Sequence, residues 1–159
     1  MRMGFFDWVK NIFIRPTLTV APESVDPDNA DLATLDIPGA VQAHLNWTKR
    51  LRDAIQGESQ EDFDISAVRA DHNCALGKWI HSDGERAYGE LPAFTDLRAK
   101  HAHFHREAAG VLEAVEAGER THAQRQLVTS FSASSREVIA ALDLLQDQAL
   151  MRAARAQGA

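Results

Sequence analysis

The chain has 159 residues, 45% of them hydrophobic and 25% charged, with a net charge of −6 and a pI near 5.6. That is enough chain for one domain with its own core. The acidic balance excludes nucleic acid as the main partner, because phosphate binding wants a basic surface. The single cysteine, Cys74, excludes an internal disulfide.

In chain order, residues 3–14 (MGFFDWVKNIFI) read as a short amphipathic helix with Phe5, Phe6, Trp8, Val9, Ile12 and Phe13 on one face. Arg2, Lys10 and Arg15 against Asp7 make its surroundings basic, which suits a partner, a membrane surface or the chain's own domain. Asp7 and Lys10 break the apolar segment too early for a secretory signal. No apolar run reaches the roughly 18 residues that span a bilayer. These features predict a cytoplasmic protein with at most peripheral membrane contact through residues 3–14. Residues 16–37 hold Pro16, Pro22 and Pro27 among five acidic residues and read as a linker. The expected division is 1–15 helix, 16–37 linker, 38–152 bundle and 153–159 tail.

From Pro38 the pattern is helical. The first helix runs from Pro38 to Gly57, with Val41, His44, Leu45, Thr48, Leu51 and Ile55 recurring at helical spacing. A second is expected over Asp64–His81, then a loop carrying Gly84 and Gly89. A third covers Pro92–Ala117 with the stripe Phe94, Leu97, His101, Phe104, His105, Ala108, Leu112 and Val115, and Gly118 ends it. The fourth covers Arg120–Arg152, with Leu127, Phe131, Val138, Leu142 and Leu145 inward. No period-two alternation appears. The prediction is an all-α, antiparallel four-helix bundle.

His44 lies on the first stripe, and His101 and His105 lie one turn apart on the third. Cys74 lies between them in sequence. Three imidazoles and one thiolate make a closed tetrahedral shell for Zn²⁺, placed between helices. His72, His81, His103 and His122 remain as solvated or supporting residues. His81, seven residues after Cys74, is expected on the same helix face and is the main competitor for a ligand position. Trp47 and Trp79 read as core wedges, Gly77 as a point of close helix approach, and Asp71 as an acceptor for a ligand histidine.

The words HLNW (44–47), CALGKW (74–79) and HAHFH (101–105), in this order, resemble the chemoreceptor zinc-binding domain of bacterial signalling proteins. The family pattern is His-x-x-Trp, Cys-x-Leu-Gly-x-Trp and His-x3-His, and the resemblance covers about residues 38–150. It implies one zinc per chain held by His44, Cys74, His101 and His105, and often a homodimer. It also implies a role in tuning chemoreceptors or diguanylate cyclases in response to zinc or to oxidants such as hypochlorous acid. This chain shows neither a receptor signalling hairpin nor a cyclase domain, so the output is expected on a partner.

A shell of four protein ligands leaves no position for substrate, and HAHFH lacks the glutamate of His-Glu-x-x-His proteases. No glycine-rich phosphate loop and no Ser-His-Asp set are visible. The expectation is a regulatory protein rather than an enzyme, with Cys74 as the redox-sensitive ligand. The alternative is a zinc-stabilised helical adaptor that bridges a membrane or receptor to a partner without sensing. A di-iron bundle would need more inward histidines and carboxylates than these helices carry.

Overall fold

The structure is a computed structural model that describes residues 35–158; the amphipathic segment 3–14 and most of the linker lie outside them. Every regular element among the described residues is helical.

Helix α1 spans Ile37–Gln56. The Asp36 carboxylate accepts the Gly39 backbone N–H at 2.9 Å, Pro38 occupies the first turn, and Gly57 closes the helix in the left-handed region at φ 76°. Its buried stripe is Ala40, His44, Trp47, Leu51 and Ile55, at strict three- and four-residue steps. Leu45, expected inward, falls off that stripe and is 49% exposed.

The expected single helix over Asp64–His81 is broken into three pieces. Helix α2 spans Ile65–Arg69, a 3-10 turn spans Asp71–Asn73, and α3 spans Ala75–Ile80. The break is local chemistry. The Asn73 side-chain amide donates to the Ala67 carbonyl at 3.1 Å, competing with the helical ladder. Ala70 and Cys74 are both extended, and the Cys74 sulfur caps α3 by accepting the Gly77 N–H at 3.2 Å. The expected loop after residue 81 contains a further helix, α4, over Asp83–Tyr88.

Helix α5 spans Pro92–Glu116 and is the centre of the molecule: α1, α2 and the C-terminal helix all pack on it. The expected fourth helix is α6 (Arg120–Gln126), a π-helical turn (Leu127–Phe131) and α7 (Ser132–Gln157), so helix continues five residues past Arg152 into the expected tail. Phe94, Leu97, Phe104, Phe131, Leu142 and Leu145 are all 1% exposed or less. Burying side chains of this size contributes about 1.5–3 kcal/mol each. No described helix is long and apolar enough to cross a membrane.

Candidate metal centre

The buried stripe of α5 turns His101 and His105 into the protein, with ring centroids 4.7 Å apart. Cys74 arrives from the start of α3, its sulfur 3.2 Å from His101 Nε2. One donor atom from each of Cys74, His101 and His105 lies within 4.8 Å of the others. His44 reaches the same region from α1. It stands outside that tightest group, with its ring 5.7 Å from the His101 ring and 4.5 Å from Phe104. Two imidazoles on one tetrahedral zinc hold their centroids about 5 Å apart, given Zn–N bonds of about 2.0–2.1 Å. The His101–His105 separation of 4.7 Å is close to that value and the His44–His101 separation of 5.7 Å somewhat exceeds it.

The outer nitrogens explain how the rings are oriented. His44 Nδ1 donates to the Ala40 carbonyl at 2.7 Å, and His105 Nδ1 donates to the Val68 carbonyl at 2.6 Å. An imidazole whose Nδ1 carries the donated proton keeps its lone pair on Nε2 when neutral, the atom that can bind a metal. His44 Nε2 is buried and has no hydrogen-bond partner among the described residues. A buried nitrogen without a partner is costly unless something binds it. Nδ1 of His101 faces Asp71 Oδ2 across 3.9 Å, an ion-pair distance rather than a hydrogen bond.

The electrostatics suit a cation. Burial pushes His44 down to about 3, so it is a neutral ligand-type imidazole. Burial opposes the Cys74 thiolate, but His101 and His105 outweigh it and lower the thiol to about 5. Burial likewise opposes a charge on His101, yet Asp71 and Cys74 together raise it to about 9. His101, against the effect of burial, and then His81 hold the Asp71 carboxyl well below the usual carboxylate range. Cys74 and His101 are thus in contact, each favouring the charged form of the other. A soft divalent cation suits the same donors, since thiolate and imidazole are preferred zinc ligands.

The remaining predicted residues divide cleanly. Gly77 is a point of close approach, though to a turn rather than a helix: a Cβ there would lie 1.8 Å from the Asp71 carbonyl oxygen. Trp47 is buried beneath the Arg50 guanidinium, 3.9 Å from its ring, and Trp79 packs on Tyr88 and Phe94. Neither is among the donors. His81, at the C-terminal end of α3, is not among the three grouped donors; it caps α3 and points its Nε2 at Asp71 Oδ2, 3.2 Å away. His103 is an exposed neighbour of Glu107. Sequence reasoning did not find the Val68 carbonyl or the ring of Phe104, which lies against both His44 and His105. A backbone acceptor leaves no side-chain signal; Phe104, three residues after His101, had one in its position on the stripe.

The fold and the donor set therefore define an all-helical domain with a possible Cys/His metal site between its elements. Residues 44–112 match the family model of the chemoreceptor zinc-binding domain. The matched segment runs from His44 to beyond His105, so it contains all four candidate ligands. No curated protein and no solved structure gave a match.

Proposed function

We infer that this protein is a zinc-dependent sensory domain in which His44, Cys74, His101 and His105 hold one zinc ion and Cys74 is the redox-sensitive ligand. The observation that carries this reading is the orientation of the rings. His44 and His105 are each fixed through Nδ1 by a backbone carbonyl, which leaves Nε2 as the nitrogen that can bind a metal, that of His105 grouped with the Cys74 sulfur and His101, and that of His44 on a ring facing His101. When bound, zinc supplies a charge that keeps the sulfur as thiolate and ties α1, α3 and α5 together.

Sensing follows from what the residues do. The Cys74 thiolate is the nucleophile: its electron pair attacks an oxygen of a peroxide, the O–O bond breaks, hydroxide leaves, and sulfenic acid remains. Hypochlorous acid reacts similarly by losing chloride. An oxidised sulfur is a poorer donor to a metal and a poorer cap for α3, so α3 loosens from α5. The sequence offers no second cysteine to resolve the sulfenic acid, so a small-molecule or partner thiol restores it. The output is carried by a signalling partner, of chemoreceptor or cyclase type, and the domain itself is regulatory rather than catalytic.

The test is zinc release on oxidation. Wild type treated with one equivalent of hypochlorous acid should release zinc to a chromogenic chelator, and a thiol reductant should restore binding. Zinc retained by an oxidised Cys74 would overturn the redox reading and leave a structural zinc bundle.

A further inference from the structure

Asp71 faces two groups of imidazoles. Its inward neighbour is His101, described above. On its outward side lie His72, from the same 3-10 turn, and His81, from the end of α3. His81 Nε2 is 3.2 Å from Asp71 Oδ2, and His72 Nδ1 is 3.9 Å from Asp71 Oδ1. The His72 and His81 rings are 6.4 Å apart and nearly perpendicular. The His72 side chain is 65% exposed and that of His81 34%, so this group opens to solvent, unlike the buried one.

We propose that Asp71, His72 and His81 form a second, solvent-facing site for a divalent transition metal such as zinc. The donor chemistry is right: two neutral imidazoles and a carboxylate are an accepted zinc set, with water completing the shell. The spacing is close to right. Nitrogen and oxygen ligands at about 2.0–2.1 Å on a tetrahedral ion lie about 3.3 Å apart. The Asp71–His81 pair already has that separation; His72 lies further out, 3.9 Å from the other Asp71 oxygen and with its ring 6.4 Å from that of His81, so its exposed side chain must swing inward to complete the set. The outer site shares no ligand with the buried one, so its existence does not depend on that reading. Asp71 links the two: a cation on the outer face draws the carboxylate away from His101. The outer group binds more weakly, since it is solvated and one ligand must be ordered.

The test uses the full chain, stripped with a chelator and titrated with zinc against a chromogenic competitor. Wild type should bind two equivalents of different affinity. The double variant His72→Ala/His81→Ala should lose the weaker and keep the tighter. Cys74→Ser should lose or weaken the tighter and keep the weaker. The single variant His72→Ala leaves the Asp71–His81 contact intact and should still weaken the second equivalent, which separates ligand loss from misfolding. A wild type that binds one equivalent only would overturn the proposal. So would a weaker equivalent that survives in the double variant and disappears when His103 and His122 are replaced. Cobalt(II) substitution keeps the two sites apart, because only the buried site gives thiolate-to-cobalt charge-transfer absorption. Absence of that band would refute the buried site alone.

Discussion

His105 and Val68 are joined by a buried hydrogen bond, ring Nδ1 to backbone carbonyl at 2.6 Å, that links α5 to α2 across 37 residues of sequence. The bond needs no metal, so His105 serves the fold as well as the site. His44 differs, because its Nδ1 bond stays within α1. Leaving a buried acceptor unpaired costs about 1–3 kcal/mol. In metal-stripped protein, His105→Ala should therefore destabilise the domain by at least about 1 kcal/mol more than His44→Ala, measured by urea denaturation. Equal losses would remove the special role of the Val68 contact.

Gly77 and Gly110 offer a paired comparison. A Cβ at Gly77 would meet the Asp71 carbonyl oxygen at 1.8 Å, and backbone cannot step aside as a flexible side chain can. Gly77→Ala must push α3 off the 3-10 turn, and Cys74 moves with it. The expected result is a loss of about 1–3 kcal/mol, together with zinc affinity at least tenfold weaker. At Gly110 the nearest atom, Gln126 Nε2, lies at an ordinary 3.5 Å within a long helix. Gly110→Ala should be neutral or stabilising, by up to about 1 kcal/mol. If both substitutions left zinc binding unchanged, the close approach at Gly77 would not matter to the site.

Arg50 and Glu61 hold the segment between α1 and α2 in place. The guanidinium donates through Nε and Nη2 to both carboxylate oxygens while lying over Trp47. Charge-assisted bonds of this kind, made by a buried arginine, contribute about 1.5–3 kcal/mol. Glu61→Ala should cost that much in thermal or chemical denaturation. Asp53→Ala, which breaks the exposed Lys49–Asp53 pair, should cost under about 1 kcal/mol. A reversal of that order would contradict the assignment of Arg50 as a structural anchor.

Much of this molecule was legible before its structure. The helical stripes placed His44, His101 and His105 inward because period-3.6 burial is a strong signal in long helices such as α1 and α5. The region 64–81 was harder. It has one glycine and no proline, so nothing obvious interrupts it. The interruption comes from Asn73 bonding back to Ala67 and from Cys74 acting as a cap, competing interactions that leave the hydrophobic pattern unchanged. The π turn at Leu127–Phe131 adds no distinctive residue, so its buried Leu127 and Phe131 were found and its geometry was not.

Metal removal offers a further prediction. Residues from α1, α3 and α5 meet at the proposed site, so zinc binding adds its free energy to folding. Chelation should lower the melting temperature of wild type clearly and leave Cys74→Ser nearly unmoved. Equal shifts in the two proteins would mean that the stabilising ion lies elsewhere.

The most direct measurement is elemental zinc per chain in chelator-washed wild type and in His101→Ala, with circular dichroism to show that the variant is helical. The ring orientations and the Cys74–His101 contact predict one retained zinc per wild-type chain and none in a folded His101→Ala. Wild type without zinc, or a variant that keeps its zinc in full, would contradict the account and leave the histidines as core residues of a helical domain.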